Sequence, residues 1–384
     1  MSRSTRIANT EGAERVATTA VREAPRRNKI ATFPSILTTN PYQRLLYEAL
    51  GRHGYAVEPE ARFELGWLVR ARREVGFLHF HWPQPFWRHE KGPRALRLPL
   101  SLAKLGLFAL RLAAARLLGY RVVWTIHQIL PHEVGNERLD RLGAGTLASL
   151  GNVLVTHDEG TREAAGKAVG PAARRIEVIP HGSYVGVYPP GRARDAVREE
   201  MGLRPDAFVF LCFGDLRAYK EVERLLEAFG RTALPHASLV VAGTVRSPEH
   251  GAAVRVHAAR DRRIRTLLEY VPDERVAELY GACDAAVVAR TDGGTSGSLI
   301  LALSMGLPVV AARTPVYREL LGYGEAGWLF DPEDTDSLRQ ALEAAATASR
   351  RQVEAKARAA LARADSLRWP EIAARTAELL EGRT

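Results

Sequence analysis

The chain has 384 residues, 46% hydrophobic and 26% charged, which suits a soluble globular protein large enough for two domains. Its formal charge of +10 comes from arginines spread along the chain; with no helix-turn-helix, zinc or RNA-binding pattern, nucleic acid is not an expected partner. The only cysteines, Cys212 and Cys283, lie in apolar runs, so a disulfide framework is excluded and a reducing cytoplasm is expected.

Residues 1–28 are polar, mixed in charge and without an apolar stretch, which predicts a disordered leader rather than a secretory signal. No uninterrupted run of about 18 apolar residues occurs, so no transmembrane span is expected. From 29 to 190 strand-like and helix-like patterns alternate. IATFPSI, GFLHFHW, RVVWTIH, NVLVTH and IEVIPHG read as strands, several ending in histidine. NPYQRLLYEALGRHG reads as a helix closed by Gly51 and Gly54. The apolar stretch 98–118, interrupted by Lys104, Arg111 and Arg116, has two readings: a helix lying at a membrane interface, or a core helix with three solvated bases. The second is favoured, because buried helices of α/β proteins are commonly this apolar.

A Pro-, Arg- and Gly-rich break near 190 precedes a second alternation over 191–365, and the tail 366–384 reads as a last helix. The pattern predicts an α/β protein of two doubly wound, Rossmann-like domains facing a central cleft, with ligands at the carboxyl ends of the strands. Two features there favour a phosphate. In FGDLRAYK, Arg217 and Lys220 follow a strand that ends at Gly214, and arginine and lysine both suit a diphosphate. In DGGTSGSLILALSMGLPVVA, small residues precede an apolar helix whose N-terminus offers unpaired N–H groups.

These stretches, with NPYQRLLYEAL, VVWTIHQILPHE, VIPHGSY, YVPDERVAELYGACDAAVVA and WPEIAARTAELLEG, resemble the GT-B fold glycosyltransferases, in particular the family 4 group, from about residue 34 onward. The resemblance implies transfer of a hexose from a UDP- or GDP-linked sugar to a hydroxyl acceptor, the donor held mainly by the C-terminal domain. It also implies that the last helix crosses back to the N-terminal domain. By position, Lys220 and Arg217 match the cations on the donor diphosphate, and Gly243 and Thr244 match the turn after the neighbouring strand. Val271 and Pro272 match the loop that meets the nucleotide base. Asp292, Thr295, Ser296, Gly297 and Ser298 form the donor loop. Asp215 stands where many members have arginine. The family's two donor-loop glutamates would fall at Gly293 and Leu301, so both acids are missing, ribose recognition loses its usual partner, and stereochemistry is open.

On the acceptor side, His127 ends a strand and is expected to face the cleft as acid/base or hydrogen-bonding partner, with His132 just beyond it. His79 and His81 are read as pointing to opposite faces of their strand, so that one, His81, lines the cleft. His157, Asp158 and His181 also end strands, His181 as a structural residue. No acidic pair of the metal-binding kind follows a strand. A metal-independent reaction without a cofactor beyond the nucleotide-sugar co-substrate is therefore expected, with Arg217, Lys220 and the helix start at 296–298 neutralising the leaving diphosphate. The acceptor is a small molecule or a lipid-linked saccharide, the latter matching peripheral contact of 98–118 with the inner membrane face. The alternatives are a sugar-nucleotide epimerase or hydrolase on the same fold, or a non-catalytic nucleotide-sugar-binding protein.

Overall fold

The computed structural model describes residues 27–36, 40–127 and 136–382. The expected leader up to residue 26, and His132, lie outside the described residues. Arg27 and Asn28, at the end of that leader, are tied to the first sheet: Arg27 donates to the Val75 carbonyl at 2.8 Å and Asn28 to the Gly54 carbonyl at 2.6 Å.

The first sheet is built from β1 (Lys29–Phe33), β2 (Ala56–Val57), β3 (Val75–Phe80), β4 (Arg121–Thr125), β5 (Val153–Thr156) and β6 (Ile176–Val178). The second comprises β7 (Phe208–Phe213), β8 (Ala237–Ala242), β9 (Ile264–Leu267), β10 (Ala285–Val288), β11 (Val309–Ala312) and β12 (Gly327–Phe330). Strand order is β2-β1-β3-β4-β5-β6 in one and β12-β11-β10-β7-β8-β9 in the other, and every pairing is parallel. Runs such as FVFLCF are apolar throughout because a parallel sheet covered on both faces leaves neither side chain set in water.

Helices α1 (Tyr42–Gly51), α2 (Leu65–Ala71), α3 (Arg94–Leu117), α4 (Glu137–Leu150) and α5 (Glu159–Val169) connect the first sheet. Helices α6 (Arg194–Glu200), α7 (Val222–Gly230), α8 (Pro248–Ala259), α9 (Asp273–Ala282), α10 (Gly297–Ser304), α11 (Pro315–Leu320), α12 (Ser337–Ala346) and α13 (Arg350–Asp365) belong to the second. The last, α14 (Trp369–Glu381), returns to the first sheet and packs on α1, its Ile372, Ala377 and Leu380 joining Ile30, Tyr42 and Leu46 in one core cluster. Its crossing is pinned at Gly182, where any Cβ would collide with the Trp369 indole. Trp369 Nε1 donates to the Ser183 carbonyl at 2.7 Å. Cys212 and Cys283 are buried free thiols, as core residues should be.

The favoured core reading of the apolar stretch does not hold. Helix α3 buries only Ser101, Phe108, Leu112 and Ala115. Leu96, Leu100, Leu107 and Leu110 recur at helical spacing on one exposed face, with Leu98, Leu102 and Leu117 also exposed. Composition could not separate an apolar face packed inside from one left outside. Lys104 is not simply solvated either; its ammonium caps the Pro85 and Arg88 carbonyls at 2.8 and 2.5 Å. By length and hydropathy α3 is apolar enough to cross a membrane, although its apolar run is interrupted.

Candidate active site

The second sheet presents a cluster of small and cationic groups at its strand ends. Gly214 and Gly243 end β7 and β8 with positive φ (117° and 134°), and a Cβ at Gly243 would strike the Gly214 carbonyl. Only glycine lets the two turns approach this closely. Beyond Gly214 the chain makes a short turn through Lys220 to Glu221, which sits in the left-handed region at φ 53°, ψ 40°. The Glu221 carboxylate holds that strained turn by accepting from the Thr291 amide at 2.9 Å and the Thr291 hydroxyl at 2.5 Å.

The turn aims Lys220 inward. Its ammonium lies 2.9 Å from Ser298 Oγ at the start of α10 and 3.4 Å from the Phe213 carbonyl. Among the described residues no carboxylate pairs with it, and burial lowers its pKa to about 8. Ser296 caps α10, accepting from the Leu299 amide at 3.3 Å. Lys220, Ser298, Gly214 and the α10 N-terminus thus converge on one anion-sized position. Arg217 stands at the rim, 3.6 Å from Asp215, which also binds Arg246 at 2.9 Å. Thr244 continues the turn from Gly243, its carbonyl accepting from the Leu216 amide at 2.8 Å. Val271 and Pro272 follow β9 on the sheet edge, Pro272 capping α9. Asp292 is held by Arg290 through a two-pronged ion pair at 2.5 Å, and Arg290 covers the Tyr219 ring at 4.9 Å. Sequence reasoning missed Arg290, although it closes strand β10 in the way the other site residues close theirs. Leu301 is buried in α10.

The first sheet lines its strand ends with histidines. His79 and His81 do not point to opposite faces: residues two apart in a strand share a face, and both bond the Tyr47 hydroxyl, at 2.9 and 2.8 Å. His81 Nδ1 meets His127 Nε2 at 3.1 Å, and His127 Nδ1 meets His157 Nε2 at 3.3 Å. The direction of this chain follows from its end. His157 Nδ1 lies 3.0 Å from the Ile179 carbonyl, which can only accept. With the ring neutral, as its lowered pKa favours, His157 Nε2 accepts from His127, whose Nε2 accepts from His81, whose Nε2 accepts from Tyr47. Every ring is neutral. Burial and mutual repulsion push His81 and His127 well below the usual histidine range, and His79 and His181 down to about 3. His127 is half-buried, stacked on Trp82 at 4.5 Å, and both of its nitrogens are committed to other histidines. His181 bonds the Gly182 carbonyl at 2.8 Å and lies beside Tyr184, whose amide donates to Ser304 Oγ at 2.9 Å across the domain junction.

The two sets of strand ends meet. Asp158, next to His157, caps α5 and accepts from the Thr295 hydroxyl of the donor loop. A Cβ at Gly160 would lie 3.1 Å from Val316 in α11. Asp158 and Thr295 therefore place the carboxyl ends of both sheets in one cleft. No group of His, Cys, Asp and Glu among the described residues is arranged to hold a metal ion.

Residues 207–347 match the family model of the group 1 glycosyl transferases. Over 292 residues, 76% of this chain and 75% of the relative, the sequence is 32% identical to the GDP-mannose:glycolipid 4-beta-D-mannosyltransferase of Xanthomonas campestris pv. campestris. The chain is a group 1 glycosyltransferase. This glycosyltransferase is also 28% identical to the GDP-mannose-dependent alpha-(1-6)-phosphatidylinositol monomannoside mannosyltransferase of Mycolicibacterium smegmatis, over 73% of the chain and 74% of the relative. In fold it matches Anabaena HepE in complex with UDP and glucose, with a TM-score of 0.70 at 18% identity, covering 92% of this chain and 99% of that one. The glycosyltransferase WaaG, involved in lipopolysaccharide biosynthesis, matches at a TM-score of 0.64 and 16% identity, covering 92% and 100%. The two parallel sheets expected from the alternating pattern, and the GT-B architecture that the resemblance implied, are the ones observed.

Proposed function

We propose that this glycosyltransferase moves mannose from GDP-mannose to a saccharide anchored in a membrane, inverting the anomeric centre. The observation that carries the donor site is Lys220: a half-buried side chain whose ammonium has no carboxylate partner among the described residues and faces a helix N-terminus and two glycine turns. Burying a cation unpaired is costly, and a diphosphate arriving there removes that cost. Lys220, Arg217 and the α10 N-terminus then neutralise the leaving diphosphate without a metal ion. The choice of GDP-mannose is supported by two relatives whose names carry that donor. A lipid-borne acceptor is supported by the same two names and by the exposed leucine face of α3, with Arg97 and Arg111 along one side of it by helical spacing. That face would seat the enzyme peripherally on the inner membrane surface. Nucleotide-linked mannose has the α configuration, so a β product such as the first relative's requires inversion.

Thermal shift with GDP, UDP, ADP and TDP, repeated with Lys220→Ala, tests the donor site. Loss of one charge-assisted contact of about 1.5–3 kcal/mol weakens GDP binding by roughly 10- to 150-fold. Since free Lys220 has a pKa of about 8 and bound diphosphate favours its charged form, affinity falls as pH rises above that value. GDP stabilisation that survives Lys220→Ala unchanged refutes the site.

A further inference from the structure

We infer that Asp158 is the general base that deprotonates the acceptor hydroxyl, a carboxylate supplied to the donor loop by the opposite domain. The inference rests on the inverting transfer proposed above. Such a reaction needs a base on the acceptor side, and the donor loop brings none: its one acid, Asp292, is held by Arg290.

Asp158 stands at the carboxyl end of β5 on the acceptor-side sheet, yet its Oδ2 accepts from Thr295, two residues beyond Gly293. The surroundings are shared. A Cβ at Gly293 would lie 4.0 Å from Thr314 Cβ, and Thr314 caps α11, whose Val316 meets the start of α5 at Gly160. Gly293 and the Asp158 carboxylate therefore border the same space, one from each domain. Two sets of bonds fix the carboxylate's position. Oδ1 accepts from the Thr161 amide at 2.6 Å, and Oδ2 accepts from the Thr161 hydroxyl at 2.8 Å and from Thr295. A carboxylate has about four acceptor positions, and three are filled here, so one remains for an incoming hydroxyl. His127, the strand-end alternative, has no nitrogen left: one accepts from His81 and the other donates to His157.

In the step, the acceptor oxygen forms a bond to the anomeric carbon while its proton passes to Asp158. The bond from that carbon to the β-phosphate oxygen breaks, its electron pair leaving with GDP, where Lys220 and the α10 N-terminus receive the charge. The protonated Asp158 returns its proton to solvent after product leaves.

Asp158→Asn is the decisive variant: the amide oxygen keeps the cap on the Thr161 amide, the NH2 donates to the Thr161 and Thr295 hydroxyls, which turn to accept, and the basicity is lost. The readout is GDP release from GDP-mannose with octyl β-D-glucopyranoside as acceptor probe, and the anomer of the product by NMR. The expected result is a β-linked wild-type product and a kcat lowered by roughly 10²- to 10⁴-fold in Asp158→Asn, with KM for GDP-mannose and the melting temperature unchanged. Thr295→Val, which removes the cross-domain bond but keeps the charge, is expected to lose far less. A β-linked product with near-wild-type turnover in Asp158→Asn overturns the base alone, as do equal losses in Asp158→Asn and Thr295→Val, which would reduce the pair to domain docking. An α-linked wild-type product overturns the inversion itself.

Discussion

Lowering the pH from about 7.5 to about 5.5 is expected to destabilise the N-terminal domain by about 3 kcal/mol or more. The cause is the set of strand-end histidines, His79, His81, His127, His157 and His181, all held below the usual histidine range chiefly by burial. A histidine whose folded pKa is depressed binds fewer protons than its unfolded counterpart between the two values. Its stabilisation is therefore complete above the unfolded pKa of 6.5 and is lost as pH falls toward the folded one, about 3 for His79 and His181. At one unit below the unfolded pKa each such group has lost about 1.4 kcal/mol. His79 and His181 together contribute about 3 kcal/mol, and His81, His127 and His157 act in the same direction. The Asp158 carboxylate beside His157 opposes part of this by favouring its charged form. The shifted carboxylates Glu278 and Asp336, with pKa values of about 2, do not enter until lower pH. Urea unfolding at a series of pH values, followed by tryptophan fluorescence, measures the slope; Trp82, on His127, and Trp124, in β4, report from this domain. An unfolding free energy constant to within about 1 kcal/mol between pH 7.5 and 5.5 would refute the neutral chain, because linkage demands the loss.

Gly243→Ala places a methyl group against the Gly214 carbonyl in a backbone conformation that L-residues avoid, and is expected to cost about 2–4 kcal/mol and abolish GDP binding, read by melting temperature and thermal shift. Replacing Leu100, Leu107 and Leu110 by serine removes exposed side chains only, so stability should hold to within about 1 kcal/mol, while sedimentation with anionic phospholipid vesicles is lost. Vesicle binding equal to wild type in that triple variant would remove α3 from the membrane reading.

The sheets were legible because buried parallel strands leave an unbroken apolar run, as in FVFLCF, and glycine punctuates the strand ends. Lys220 and Ser298 were legible for a related reason: both stand just past a strand end or at a helix start. What local pattern could not supply was anything joining distant segments. Asp158 was visible at a strand end, but its partner Thr295 lies 137 residues on. The wiring of His81, His127 and His157 spans three strands, and both ring nitrogens of His127 lie within it. The exposure of α3 was hidden because an apolar face reads the same whether a core or a lipid surface covers it. The pairing of His79 with His81 was misjudged from a period that was available in the sequence all along.

The return of α14 to the first sheet bears on how the chain is made. Ile30, Tyr42 and Leu46 on one flank of that sheet are covered by Ile372, Ala377 and Leu380, contributed by a helix that is synthesised only after every strand of the second sheet. The sheet that is made before the other is thus covered only after the other is made. Throughout elongation it carries an uncovered apolar flank, a state that invites holding by chaperones, and a gene fragment ending near residue 190 would encode a half-covered sheet rather than an independent domain.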